Sequence, residues 1–205
     1  MSNKKPLIVF EGIEGSGKTT LINHVSNYLK NKKISFIKIR EPGGNKNSEL
    51  IRKLILNKKN KFNSFTDLFL YFASRSENID NVIKKNYKKK IILMDRFTDS
   101  TVAYQHFGMG IDKTLIDKIN KMLLKNIKPK VTILNTVSMK NLSKRLRLRK
   151  NTNRYDIFKL KFYQKVQKGF LKLSKNKSNY LIIDSNKNLV NNKRQVLNKI
   201  IDIIK

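Results

Sequence analysis

One short stretch near the start of the chain constrains its fold more than any other feature. Residues 10–20 read FEGIEGSGKTT and match the phosphate-loop pattern G-x-x-x-x-G-K-[ST]. An apolar run at 7–10 precedes them and predicts a buried strand, and residues 20–30 carry apolar side chains at helical spacing. A strand, a glycine-rich loop and a helix in this order aim backbone N–H groups at one point, which predicts an anion site.

The residue types in this loop indicate a nucleoside triphosphate site. Lys18 would bring positive charge to the β- and γ-phosphates, and the Thr19 hydroxyl would contact Mg²⁺. A glycine-containing turn that fits the pattern by chance is the alternative, and the strand and helix on either side argue against it. The predicted nucleotide-binding positions are Gly12, Ile13, Glu14, Gly15, Ser16, Gly17, Lys18, Thr19 and Thr20.

The rest of the chain alternates strand-like and helical patterns. Further apolar runs predict strands at 34–39, 91–94, 131–134 and 180–183. Helical spacing covers 45–56, 64–87, 113–124, 139–149, 156–173 and 189–205. This order predicts an α/β protein with the P-loop NTPase fold: a five-stranded parallel sheet with helices on both faces, in a single domain of residues 1–205.

The chain is strongly basic, with 46 lysines and arginines against 14 acidic residues and a net charge of +32. The basic residues are spread along the whole sequence, which favours compositional drift over a specific nucleic-acid interface and predicts only nonspecific attraction of polyanions. No cysteine is present, which excludes disulfides and a cysteine nucleophile. Because no apolar stretch suits a signal peptide or a membrane span, we expect a cytoplasmic protein without a membrane partner.

Charged residues follow the second and third predicted strands. Arg40 and Glu41 precede a Pro-Gly-Gly turn, and Asp95 and Arg96 close the run at 91–94. Ligands of parallel sheets bind beyond the carboxyl ends of the strands, so we expect these side chains to lie around the phosphate site. Asp95 suits a metal-holding carboxylate, with a turn or helix-capping aspartate as the alternative.

Together these elements resemble the thymidylate kinases, a family of nucleoside monophosphate kinases, from residue 7 to about residue 175. The stretches that carry the resemblance are EGIEGSGKTT at 11–20, REPGG at 40–44, YFASR at 71–75, DRFTDSTVAYQ at 95–105 and GID at 110–112. The resemblance implies transfer of the γ-phosphoryl group of ATP to dTMP, giving dTDP for dTTP synthesis. It also implies a homodimer.

The resemblance implies roles for residues near the acceptor phosphate and sugar. Arg40 and Arg96 would hold the phosphate through their planar donors, and Lys18 and Arg96 would act in catalysis. Glu14 would accept a hydrogen bond from the 3′-hydroxyl, and Tyr104 would crowd the 2′ position. The predicted Mg²⁺ positions are Thr19, Glu41 and Asp95.

The same resemblance implies a site for the thymine base. Tyr71 would stack on the ring, although a core aromatic on an amphipathic helix is an equal alternative for it. Arg75, one helical turn later, would reach a base carbonyl. Thr101 and Gln105 would complete the pyrimidine site.

A basic segment at about 144–156 resembles the mobile lid of bacterial-type members, which carry glutamate in the phosphate loop and the catalytic arginine in the lid. Arg149 and Arg154 are the predicted catalytic arginines, and a solvated basic helix face is the alternative. One departure from the family pattern is Asn135, which stands where many members have an aspartate.

Two other functions stay open at the level of sequence. Another deoxynucleoside monophosphate kinase of the same fold would keep the phosphate site and prefer dUMP, dCMP or dGMP. A nucleotide-responsive nucleic-acid-binding protein would make the positive charge its main feature.

Overall fold

The computed structural model describes residues 5–149 and 153–204, except for the side chain of Ile157. Five strands form one sheet, as the sequence predicts: β1 Leu7–Glu11, β2 Phe36–Arg40, β3 Ile91–Asp95, β4 Val131–Thr136 and β5 Tyr180–Asp184. All neighbouring strands are parallel, in the order β2-β3-β1-β4-β5. The central strand β1 therefore delivers the glycine-rich loop to the middle of the carboxyl edge.

Nine α-helices are described. They are α1 Lys18–Asn31, α2 Lys46–Leu56, α3 Ser64–Asn78, α4 Lys84–Asn86, α5 Thr98–Thr101, α6 Lys113–Leu124, α7 Met139–Arg147, α8 Leu160–Ser174 and α9 Leu189–Ile204. Wider π-helical stretches connect α3 to α4 at Ile79–Ile83 and extend α5 at Val102–Gly108, and a 3₁₀ turn lies at Arg154–Ile157. Among these described helices, none is both long and apolar enough to cross a bilayer.

Both faces of the sheet are covered, because alternate side chains of β1 point to opposite sides. Ile8 and Phe10 pack with residues of α1 and α9. Leu7 and Val9 pack on the other face, with side chains such as Ile79. Burial on both faces explains why the strands read as continuous apolar runs.

The helices differ most from the predictions in three places. The helix predicted over 64–87 changes to π winding after Asn78. The one predicted over 156–173 begins only at Leu160, because Asn153 and Asp156 form a capping box that closes a separate 3₁₀ turn. The helical segment 98–108 was not predicted, since it lacks a regular 3.6-residue apolar spacing.

Helix α8 approaches the π-helical stretch Val102–Gly108 closely at Gly169. A Cβ atom on Gly169 would collide with the Cβ and ring atoms of Phe107. This contact matters for the site, because the same stretch carries Tyr104 and Gln105.

We expect Gly169→Ala to destabilise the fold by about 1–3 kcal/mol through overpacking against Phe107. Alanine in a helix interior normally stabilises by about 1 kcal/mol relative to glycine, so the sign of the effect is diagnostic. Urea unfolding measures it, with the exposed neighbour change Lys168→Ala as the control. A stabilised Gly169→Ala protein would contradict the close packing.

Candidate active site

A cavity of about 1170 Å³ lies along the carboxyl edge of the sheet. Every residue predicted to form the site lines this cavity except Gly12, Ile13 and Arg154. The structure thus brings the ends of β1, β2 and β3 together, as parallel topology requires. Lys150, Asn151 and Thr152 of the predicted lid lie outside the described residues.

The phosphate loop has the backbone geometry that an anion site needs. Gly12 has φ +134°, and a Cβ atom there would overlap the carbonyl of Asn135, so only glycine fits. Gly17, with φ +87°, starts α1 without a side-chain cap or an acidic residue in its first turn. The first N–H groups of α1 therefore remain available to an anion.

Lys18 lies folded onto this loop. Its Nζ donates to the carbonyls of Gly12 and Ile13, both at 2.9 Å. Burial and the neighbouring Arg96 lower its pKa to about 8, against the opposing effect of Asp95. A bound phosphate group would supply the negative charge that favours the protonated amine.

Arg96 is held over the phosphate loop by its backbone and its side chain. It adopts a left-handed conformation with φ +68°, and its N–H donates to the carbonyl of Phe10 at 2.9 Å. Its Nη1 lies 2.8 Å from the carbonyl oxygen of Gly12, and its Nη2 lies 2.8 Å from Oε1 of Glu14. Glu14 also accepts a hydrogen bond from the Tyr104 hydroxyl.

Electrostatics keep this cluster charged. Burial alone would raise the pKa of Glu14, but Arg96 and Lys18 outweigh it and lower that pKa. Arg40 reaches the cavity from β2, with its side chain half exposed and its Nη2 2.9 Å from Oε2 of Glu49. Two arginines and one lysine therefore face the same space from three strand ends.

Two carboxylates at the ends of β2 and β3 each leave an oxygen free. Among the described residues, Oε1 of Glu41 and Oδ1 of Asp95 are buried without a hydrogen-bond partner. The two residues are neighbours, because the N–H of Glu41 donates to the carbonyl of Asp95 at 2.9 Å. Within the described ranges no group of three acidic, histidine or cysteine residues could hold a metal alone. Mg²⁺ takes one or two carboxylates plus phosphate oxygens, so this pair fits it.

The predicted base-binding residues all line the cavity. Arg75 is almost fully buried, and its N–H groups donate to Glu41, Asn120, Thr101 and the carbonyl of Phe97. Gln105 lines the cavity, and its Nε2 is buried without a partner among the described residues. Tyr71 also lines the cavity.

Three of the lid arginines occupy different environments. Arg149 lies 2.6 Å from Oδ1 of Asp156 and lines the cavity. Arg145 donates to the carbonyls of Gly15 at 2.7 Å and Ser185 at 2.8 Å, so it joins the phosphate loop to the end of β5. Arg154 pairs with Asp67 at 2.5 Å and does not line the cavity.

Asn135 lies beneath the phosphate loop, at the end of β4. Its Nδ2 donates to the carbonyl of Ser16 at 3.2 Å, and the Ser185 hydroxyl donates to the same carbonyl at 2.5 Å. An ionised aspartate could not donate at this position. The amide therefore supports the loop by a bond that the usual carboxylate could not form.

Glu11, at the end of β1, supports the site from below the surface, and its sequence context predicts no role for it. It is fully buried and accepts from the backbone N–H of Phe97 at 2.8 Å and of Ser100 at 3.2 Å, and from the Ser100 hydroxyl at 2.6 Å. Ser100 in turn accepts from Nη1 of Arg96 at 3.1 Å. The available signal was a carboxylate that ends an otherwise apolar strand.

The amino-acid sequence matches the model of one protein family, described as thymidylate kinase, over residues 10–196. It is 39% identical over 202 residues to the thymidylate kinase of Mycoplasma capricolum, covering 96% of this chain and 93% of that protein. It is 38% identical over 180 residues to the thymidylate kinase of a Sulfurihydrogenibium species, covering 86% and 87%. The solved structure of a thymidylate kinase from Ehrlichia chaffeensis superposes with a TM-score of 0.76 at 30% identity, covering 98% of each chain.

We expect Glu11 to make the stability of the protein depend on pH. Burial, and then the nearby Asp99, raise its pKa from 4.5 to about 7. Between these values the native state holds a proton that the unfolded chain has lost, so stability falls as pH rises. The slope for this group approaches about 1.4 kcal/mol per pH unit between pH 5 and 7.

Thermal and urea unfolding of the wild type and Glu11→Gln from pH 5 to pH 8 test this expectation. The wild type should lose stability relative to the variant as pH rises, and the difference should level off above about pH 7. Parallel curves for the two proteins across this range would contradict the raised pKa.

Proposed function

The chain belongs to the thymidylate kinase family, and we propose that it transfers the γ-phosphoryl group of ATP to the 5′-phosphate of dTMP, giving dTDP and ADP. The step would serve dTTP synthesis. One observation carries the proposal: Arg96, which lines the cavity, contacts both the phosphate-loop carbonyl of Gly12 and the carboxylate of Glu14. A guanidinium in that position can hold an acceptor phosphate beside a triphosphate bound on the loop.

The proposed chemistry needs positioning and charge neutralisation more than covalent catalysis. The phosphate of dTMP is already a nucleophile at neutral pH, so no general base is required. Lys18 and the N–H groups of α1 would hold the triphosphate, and Arg40 and Arg96 would hold the acceptor. The convergence of these cations from three strand ends supports the arrangement.

Mg²⁺ fits the carboxylate pair of Asp95 and Glu41, with the Thr19 hydroxyl as the third predicted ligand. Bound there, it would neutralise charge on the phosphates of the donor. Both residues line the cavity, and among the described residues each leaves a buried carboxylate oxygen without a hydrogen-bond partner, which supports this placement.

The residues predicted to bind the base support selection of a deoxypyrimidine nucleotide. Among the described residues Nε2 of Gln105 has no hydrogen-bond partner, and Nη2 of Arg75 donates to the Thr101 hydroxyl at 2.9 Å. Tyr71 would stack on the base. Tyr104, held by Glu14, would restrict the 2′ position of the sugar and disfavour ribonucleotides.

We infer that Arg149 is the lid arginine that stabilises charge on the transferring phosphoryl group. Arg149 lines the cavity, and its guanidinium contacts Asp156 through Nη1, which leaves Nη2 free of that carboxylate. Arg154 was predicted to share this role; it is buried against Asp67 instead and would have to leave that partner to reach a phosphate.

We expect purified protein with Mg-ATP to form ADP faster with dTMP than with dUMP, dCMP, dGMP or no acceptor. Coupled ADP release across this panel measures the preference. Lys18→Ala should lose about 100-fold or more in kcat, which excludes a contaminating kinase as the source of activity. No stimulation by dTMP, or a preference for another acceptor, would contradict the proposal. Nucleotide-dependent DNA binding without phosphoryl transfer would favour the alternative protein class.

We further infer a homodimer paired through α3. Phe65 and Phe69 lie one helical turn apart on this helix, and 54% and 56% of their surfaces are exposed. Neighbouring exposed aromatic rings are typical of an interface between protein chains. Within the described part of the chain, nothing covers them.

The dimer is tested by sedimentation velocity at several protein concentrations. Phe69→Glu should produce monomers, whereas Leu171→Glu, at a half-exposed position on α8, should not. A monomeric wild type, or a dimer that survives Phe69→Glu, would contradict pairing through α3.

Three further predictions from the sequence stay predictions. They are that residues 1–205 form one kinase domain, that the protein is cytoplasmic, and that it attracts nucleic acid only through its net charge. The last would give DNA binding that is independent of sequence and lost in moderate salt.

A further inference from the structure

A buried ion pair joins the first turn of α3 to the end of the predicted lid. Oδ1 of Asp67 lies 2.5 Å from Nη2 of Arg154, and the two side chains are only 5% and 11% exposed. The pairs Lys84–Asp80 and Lys113–Asp117, each between residues four apart in helical segments, are by contrast about half exposed. Exposed pairs of that kind contribute little, whereas a buried charge needs its partner.

The surroundings of Arg154 fix it in this position. Its guanidinium lies over the ring of Phe62 at 5.6 Å and over the ring of Tyr155 at 5.3 Å. The Tyr155 hydroxyl lies 3.5 Å from the other oxygen of Asp67. Two aromatic rings and one carboxylate therefore surround a cation that does not reach the cavity.

The next two residues along the chain reach the functional site. Tyr155 is 3% exposed, lines the cavity, and makes edge contacts with Tyr71 and Tyr104 at centroid distances of 6.3 and 6.0 Å. Asp156, whose side chain is 4% exposed, accepts from Arg149 at 2.6 Å and from the N–H of Asn153 at 2.7 Å. The 3₁₀ turn Arg154–Ile157, here called the anchor turn, thus connects α3 to Arg149 and to the cavity wall beside Tyr71 and Tyr104.

We propose that Asp67 is a positioning residue for phosphoryl transfer. By pairing with Arg154 it fixes the anchor turn on α3, so that Tyr155 forms the wall beside Tyr71 and Asp156 orients Arg149. Asp67 touches no substrate, and Arg154 serves as its partner and not as a catalytic group. The inference rests on the proposed function for its kinetic consequences, but the anchoring itself does not depend on it.

Kinetics of a double-mutant cycle test the positioning role. We expect Asp67→Asn to lower kcat about 10- to 100-fold, because small displacements of catalytic groups have effects of this size. KM for dTMP should rise several-fold while KM for ATP stays unchanged. Arg154→Gln should match Asp67→Asn, the double variant should be no worse than either single variant, and Asp67→Glu should recover most of the activity. Asp117→Asn, which breaks an exposed pair, is the control.

Two kinetic outcomes would overturn the proposal. One is an Asp67→Asn enzyme with wild-type kcat and KM. The other is an Arg154→Gln enzyme that loses far more activity than Asp67→Asn, which would make Arg154 a catalytic group. Measurements well below the unfolding temperature of each variant separate both from simple destabilisation, which would leave the ratio of the two KM values unchanged.

Limited trypsin digestion tests the anchoring without any substrate. The basic segment around the lid offers many cleavage sites, among them Arg149, whose side chain is already 41% exposed. Cleavage at an exposed site still requires local unfolding of the backbone, which release of the anchor turn would favour. We expect cleavage after Arg149 to be about tenfold faster in Asp67→Asn than in the wild type or Asp117→Asn. An unchanged cleavage rate would overturn the proposal even if the wild type proved inactive on dTMP, whereas inactivity alone would overturn only the proposed function.

Discussion

The site depends on the junction between β1 and the chain that leaves β3. Glu11 accepts hydrogen bonds from the backbone just beyond Arg96, and Arg96 itself adopts the left-handed conformation that a bulky residue usually avoids. Those bonds compensate the unfavourable backbone geometry. They also direct the side chain of Arg96 back over the phosphate loop, where it donates hydrogen bonds to Gly12 and Glu14.

The few carboxylates of this basic chain are concentrated where arginines must be held. Glu14 faces Arg96, Glu41 faces Arg75, and Asp67 faces Arg154. With 14 acidic residues against 46 basic ones, most surface cations have no partner of opposite charge. Several of the scarce negative charges thus fix geometry inside the fold, and the surface keeps a net positive charge.

The sequence was sufficient to predict the sheet and the phosphate loop, because both follow from local patterns. Continuous apolar runs correspond to strands buried on two faces, and the spacing of Gly12, Gly17 and Lys18 is set by the loop itself. Arg96 could be placed beside the loop because the carboxyl ends of parallel strands share one edge.

Long-range pairings could not be predicted in the same way. The partner of Arg154 is Asp67, 87 residues earlier, and the basic composition of the lid gives no signal for it. The sequence pattern also did not predict the π-helical winding of Val102–Gly108, since this winding breaks the regular helical period. The sequence shows a glutamate at position 11 but does not predict what it does, because its hydrogen-bond donors come from a turn 86 residues away.

Different sides of helix α3 make different contacts. Its outward side carries the exposed rings of Phe65 and Phe69, while Asp67 holds the anchor turn and Tyr71 and Arg75 border the cavity. A rigid helix transmits a small translation along its whole length. A displacement of α3, caused by a neighbouring molecule or by a bound base, would therefore change its exposed surface, the anchor turn and the cavity at the same time.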